Sequence, residues 1–182
     1  MSAEVVTNTQ SAVLGAVPEA ERVVSPHRSR LDGAAALGVP AHVTVLFPFV
    51  PPAAITPAVV DALAAAVASV EAFGCEFPVA SWFGEDVLYL APRPDEPFRA
   101  LTRAVCAAFP GYLPYGGAYA DTIPHLTVGD RAVGEISELR AAEAVVRPLL
   151  PVRARVSQVS LMAGSAVAGS WHTLAELPLA ST

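Results

Sequence analysis

Two short stretches decide the fold: Pro40-Ala41-His42-Val43-Thr44-Val45 and, 83 positions later, Ile123-Pro124-His125-Leu126-Thr127-Val128. Both read H-φ-T-φ, where φ is apolar, with a proline just upstream. Side chains alternate across a strand, so His42 and Thr44 share one face while Val43 and Val45 point into a core; His125 and Thr127 lie likewise over Leu126 and Val128. Each stretch therefore sets an imidazole and a hydroxyl roughly 7 Å apart on one strand face. With nine threonines and 53% apolar residues in the chain, two such matches among four histidines arise by accident roughly once in a thousand sequences.

Working outward, strands and helices alternate. Ser11 to Val17 reads as a strand and Pro18 to Leu31 as a helix with acidic Glu19 and Glu21 in its first turn. A loop from Gly33 to Pro40 leads into a strand from His42 to Phe49, stopped by Pro51-Pro52. Thr56-Pro57 is an N-cap followed by proline at the first helical position, opening a helix to about Phe73. Glu76 to Phe83 and Val87 to Leu90 read as a hairpin about Gly84-Glu85-Asp86. Pro97 to Phe109 is a helix with Phe98, Leu101, Val105 and Phe109 on one stripe. After a Gly/Pro-rich loop from Pro110 to Asp121 come a strand from Ile123 to Val128, a helix from Glu135 to Leu149, and strands from Val152 to Met162 and Trp171 to Leu177. The strand-helix-strand order on both sides of residue 92 predicts a duplication. The chain is expected to be a single domain over 1–182 in two halves, one over about 11–92 carrying His42 and Thr44 and the other over about 93–180 carrying His125 and Thr127; if a pseudo-twofold axis relates them, the two pairs face each other across a groove.

Composition narrows the partners. The chain has 182 residues, 15% of them charged, so a sizeable core is available and disorder is excluded. All eleven basic residues are arginine, and the formal charge is −6. That balance offers no cationic track for long duplex nucleic acid, so any nucleic acid handled is short or touched at an end. Cys75 and Cys106 stand far apart in apolar surroundings and read as reduced core residues. Neither a signal peptide nor a membrane span is visible, and a cytoplasmic monomer is expected.

The paired histidines suggest a chemistry. Opening a cyclic phosphodiester requires an attacking water to lose a proton and the leaving sugar oxygen to gain one. Two imidazoles on opposite sides of phosphorus, one neutral and one protonated, supply both near neutral pH. Thr44 and Thr127 hydroxyls can donate to the non-bridging oxygens, where negative charge builds. The histidines have no third ligand at metal-site spacing, so neither metal nor cofactor is expected. Phe47, Tyr115, Tyr119 and Trp171 are candidates for groove or base contacts, beside plainer readings: core packing is favoured for at least one of Phe47 and Phe49, loop packing serves the tyrosines at least as well, and edge packing is the default for Trp171. His27, between arginines of a helix, and His172, on the last strand, read as surface residues.

The twin motifs resemble the two-histidine (2H) phosphoesterase superfamily, in particular its 2′-5′ RNA ligase-like branch. The runs Gly38-Val39-Pro40-Ala41-His42-Val43-Thr44-Val45-Leu46-Phe47-Pro48-Phe49 and Pro114-Tyr115-Gly116-Gly117 through His125-Leu126-Thr127-Val128 carry the likeness, which extends from about Ala12 to Leu179. The resemblance implies an α+β, bilobal duplicated fold with two antiparallel sheets lining a central groove and helices outside, and hydrolysis of 2′,3′-cyclic phosphates of nucleotides or RNA ends to 2′-phosphates, together with reversible 2′-5′ RNA ligation. The site would comprise His42 and His125 as catalytic residues and Thr44 and Thr127 as phosphate-binding ones. This chain departs from the pattern after the second motif: some members carry a basic residue there, whereas Gly129-Asp130 precede Arg131. Two other readings stay open: a module that binds a nucleotide phosphate without turnover, and a phosphodiesterase for another cyclic phosphate, such as an ADP-ribose cyclic phosphate or a cyclic dinucleotide.

Overall fold

A computed structural model describes residues 7–118 and 121–181. The strands are β1 (Gln10–Ala16), β2 (His42–Leu46), β3 (Phe73–Phe83), β4 (Val87–Arg93), β5 (Leu126–Asp130), β6 (Val152–Val156), β7 (Gln158–Gly164) and β8 (His172–Pro178). The helices are α1 (Glu21–Leu31), α2 (Gly33–Ala36), α3 (Pro57–Val67), α4 (Glu96–Ala108) and α5 (Ile136–Val146). Local chemistry explains several boundaries. Thr56 caps α3 by accepting from the Val59 amide, Glu135 and Glu138 close a capping box on α5, and α5 gives way to a 3-10 turn where Pro148 removes a donor. α3 stops at Val67, short of the expected Phe73, which instead opens β3. β5 starts at Leu126, after His125, because Pro124 has no amide to donate to a ladder.

The strands form two four-stranded antiparallel sheets, ordered β2-β1-β7-β8 and β5-β4-β3-β6. The architecture is the expected α+β pair of sheets, but the division near residue 92 does not separate them. Both sheets draw strands from both halves of the chain. The expected single strand from Val152 to Met162 breaks at Ser157: β6 completes the second sheet, and β7 crosses to pair with β1 in the first. No Gly or Pro interrupts Val152 to Met162, so no turn signal marks that crossing in the sequence. The repeat is β1-α1-β2-α3 against β4-α4-β5-α5, with the two motif strands at the edges of their sheets. Each repeat lends a helix to the other, since α1 packs on β5 and α4 on β2.

Both motif strands are bulged at the same place. In β2, Thr44 pairs with Leu14 and Leu46 with Val13, leaving Val45 unmatched. In β5, Thr127 pairs with Tyr89 and Gly129 with Leu88, leaving Val128 unmatched. An extra residue resets the alternation, so the chain turns two successive residues inward and the next one outward. Val45 and Leu46 are buried, as are Val128 and Gly129. Phe47 and Asp130 then emerge on the same side as the threonines, and both line the groove. The Thr102 hydroxyl of α4 is 3.0 Å from the Val45 carbonyl that the bulge frees.

Candidate active site

The two motif strands border a groove of about 700 Å³ that contains His42, Thr44, His125 and Thr127. Each imidazole is held in the same way. His42 Nδ1 lies 2.7 Å from the Pro40 carbonyl and His125 Nδ1 lies 2.7 Å from the Ile123 carbonyl, two residues back in each case. A carbonyl can only accept, so in the neutral ring Nδ1 carries the proton and Nε2 is left with a lone pair. The segments supplying those carbonyls are themselves tied down by arginines at equivalent places of the repeat. Arg28 on α1 donates through Nη2 to the Val39 carbonyl at 3.3 Å, and Arg99 on α4 donates through Nη1 to the Thr122 carbonyl at 3.2 Å. Arg28 is buried and paired with Asp32, 2.8 Å away; Arg99 is paired with Asp95 and Asp121. Arg28 therefore departs from the solvated face that the run His27-Arg28-Ser29-Arg30 suggests, while Ser29 and Arg30 are exposed as expected. Arg28 and Asp32, one helical turn apart, form a buried ion pair.

Surroundings lower both imidazoles. Burial pushes His42 from 6.5 down to about 4; the Pro40 hydrogen bond opposes this, Arg28 and a charged His125 add to it, and Asp32 opposes it. Burial also lowers His125, against the Ile123 hydrogen bond and Asp32. These directions set a stability signature. With the folded-state values below the unfolded ones, the unfolded chain binds protons more readily, so the stability from keeping the rings neutral is complete above about pH 6.5. It is lost as pH falls from 6.5 towards 4. At about 1.4 kcal/mol per pKa unit, the His42 share is at most roughly 3–4 kcal/mol. Urea unfolding of wild type and His42→Gln at pH 7 and pH 4.5 should show the wild type losing more stability on acidification; equal losses would contradict the burial effect.

Of the other residues singled out from the sequence, Phe47, Tyr115 and Trp171 line the groove on the β2 side. The Phe47 and Trp171 ring centroids lie 6.3 Å apart. Tyr115 adopts a left-handed backbone, φ 51°, unusual for a side-chain-bearing residue, and its amide donates to the Phe47 carbonyl at 2.6 Å. That bond fastens the Gly-rich loop to the first motif. Tyr119 lies outside the described residues. Phe49 is buried against Phe109 and belongs to the core. His172 is exposed and His27 half-buried, neither in the groove. Cys75 and Cys106 are both free thiols, and burial raises the Cys75 thiol to about 11. On the second side, Phe83 stacks on Tyr89 and meets the edge of His125. Sequence reasoning passed over Asp32, Asp86, Asp121 and Asp130, all of which line the groove. Among the described residues no group of His, Cys, Asp and Glu side chains has the arrangement of a metal site, and no helix is long and apolar enough to cross a membrane.

Two interleaved antiparallel sheets with a His-x-Thr strand at each groove edge define a two-histidine phosphoesterase fold. A family model described as the 2′-5′ RNA ligase superfamily matches residues 16–167, and the chain belongs to that superfamily. No curated protein matches the sequence. Among solved structures, E. coli LigT complexed with 3′-AMP is 16% identical with a TM-score of 0.58, covering 95% of this chain and 99% of that one. E. coli LigT complexed with NADP+ is also 16% identical, TM-score 0.60, over 95% and 98%. TT0787 of Thermus thermophilus is 14% identical, TM-score 0.61, over 94% and 98%. At these identities the likeness is one of fold.

Proposed function

We propose that the groove opens 2′,3′-cyclic phosphates of nucleotides or short RNA ends to 2′-phosphates. The observation carrying this reading is the matched pair of imidazoles in one groove, each with Nδ1 bound to a carbonyl two residues back and Nε2 left to act. His42, lowered further, is neutral across the neutral range and serves as base: its Nε2 takes a proton from water as the oxygen–phosphorus bond forms. His125, charged when the anionic phosphate is bound, gives its proton to the 3′ oxygen as the phosphorus–oxygen bond breaks. Proton exchange with solvent then resets the pair. Membership of the superfamily and the likeness to LigT, whose complexes include 3′-AMP, ATP and NADP+, support a small nucleotide as the occupant. With a 5′-hydroxyl in place of water, the same ring opening joins the cyclic phosphate to it through a 2′-5′ linkage, and the formal charge of −6 favours water and a small substrate over a second RNA end.

The test is turnover of 2′,3′-cyclic nucleotides in EDTA with product identified by mass and chromatography. Release of the 2′-phosphate by the wild type, in a cytoplasm-like buffer and by a monomer, supports the reading. Binding without turnover identifies a module that holds the phosphate only, and turnover of an ADP-ribose cyclic phosphate or cyclic dinucleotide alone identifies a different phosphodiesterase. Thr44→Val and Thr127→Val, which keep the shape but remove the hydroxyl donor, should each lower kcat by on the order of 10²-fold. If neither variant moves kcat, the threonines do not touch the reacting phosphate.

A further inference from the structure

The two bulges put unlike side chains at equivalent positions of the repeat: Phe47 follows Thr44 and Asp130 follows Thr127, each three residues on and each lining the groove. The two sides of the groove are unlike in the same sense. Around Phe47 stand Leu37, Val39, Tyr115 and Trp171. Asp130 is joined by Asp86, since Val87 pairs with Asp130 and the Arg131 amide donates to the Asp86 carbonyl at 2.8 Å. Of the four groove aspartates, Asp32 and Asp121 are paired with Arg28 and Arg99. Asp86 and Asp130 have no cationic partner among the described residues, and the Asp130 carboxylate accepts only the Ala132 amide, at 2.6 Å. Among those residues no arginine lines the groove, and the chain has no lysine.

Resting on the cyclic-phosphate reading above, we infer that the substrate carries the reacting phosphodiester as its only anionic group and lies one way round, with its base on the Phe47 side and a free 5′-hydroxyl on the Asp86–Asp130 side. In a ribose the 2′,3′ edge lies opposite the ring oxygen, and the base at C1′ and the 5′ carbon at C4′ project to opposite flanks. Phosphorus held between the histidines and a base held by the aromatic side therefore send the 5′ group towards the two carboxylates. A hydroxyl there can donate to them; a 5′-phosphate meets two like charges with no cation to offset them. The groove thus selects nucleoside 2′,3′-cyclic monophosphates and disfavours 5′-phosphorylated nucleotides, oligonucleotide ends and pyrophosphate-bearing cyclic phosphates.

The experiment compares kcat/KM for 2′,3′-cyclic AMP and its 5′-phosphorylated form at low ionic strength, where exposed charges are least screened. Wild type should prefer the 5′-hydroxyl form by about tenfold or more. In the Asp86→Asn/Asp130→Asn double variant the ratio between the two substrates, measured on one preparation, should fall to within about threefold. A wild-type ratio near one, or a ratio unchanged in the double variant, overturns the inference while leaving the cyclic-phosphate reading standing. If neither substrate turns over, the proposed function has failed. The inference is then decided by calorimetry with 2′-AMP and adenosine 2′,5′-bisphosphate: tighter binding of 2′-AMP, lost in the double variant, supports it, and equal binding overturns it.

Discussion

Replacing either His42 or His125 with alanine lowers kcat on a 2′,3′-cyclic nucleotide by about 10³-fold, within the 10² to 10⁴ that a positioned acid or base contributes. The sharper expectation concerns pH. In the proposed mechanism His42 acts neutral, so kcat/KM should rise as pH climbs through its value of about 4. His125 is proposed to act protonated, so kcat/KM should fall as pH climbs through a value held below 6.5 by burial. The bell for the free enzyme therefore peaks on the acid side of 6.5, between the two. In kcat the descending limb moves upward, because the bound phosphate favours the charged His125 ring. Since the two rings feel one another, the limbs report the pair. Rate profiles of residual activity separate the roles: His42→Ala should lose the ascending limb and His125→Ala the descending one. A profile flat from pH 4 to pH 8, or the limbs lost in the opposite assignment, would contradict the mechanism.

That assignment starts from two tetrads visible in the sequence, and the reach of the sequence ends within three residues of them. His42, Thr44, His125 and Thr127 are legible because alternation along an edge strand is local, as are the helices, whose apolar stripes and caps are written in consecutive residues. The residues just beyond the threonines are not legible in the same way. Strict alternation sends Leu46 outward and Phe47 inward; the bulges at Val45 and Val128 reverse this, and nothing in Thr-Val-Leu-Phe or Thr-Val-Gly-Asp announces an unmatched residue. Asp130 therefore reads as part of a solvated turn until the pairing is known. Gly129 offers a partial signal: a Cβ there would come within 3.0 Å of Leu31 on α1, so the position is small because a helix from the other repeat presses on it. The exchange of strands at Ser157 is hidden for a similar reason. One stretch free of Gly and Pro serves two sheets, and only long-range pairing divides it. Arg28 illustrates the reverse error, because a local rule that exposes arginines on a short helix misses a carboxylate one turn on that makes burial tolerable.

Phe98→Ala should destabilise the protein by roughly 3–5 kcal/mol, the usual cost of truncating a fully buried phenylalanine. Phe98 projects from α4 with 1% of its surface exposed. Its ring meets Phe73 of β3 edge-on, with centroids 5.0 Å apart, and its Cε1 lies 3.3 Å from where a side chain on Gly15 of β1 would begin. One ring therefore bridges a strand of each sheet, and no neighbour can collapse into the space without moving a sheet. At 2–4 °C per kcal/mol for a chain of this length, Tm should fall by roughly 6–20 °C. Val145→Ala, on an exposed position of α5, should change stability by less than about 0.5 kcal/mol. The shape of the transition is the more discriminating readout. β7 and β8 complete the sheet begun by β1 and β2, while β3 to β6 lie between them in sequence. Neither sheet can unfold and leave the other with its flanking chain in place, and the helix over each motif strand belongs to the other repeat. Calorimetry of wild type and Phe98→Ala should thus show a single transition displaced as a whole. Two resolved transitions would mean that the halves on either side of residue 92 fold separately, which the pairing of β1 with β7 and of β3 with β6 forbids.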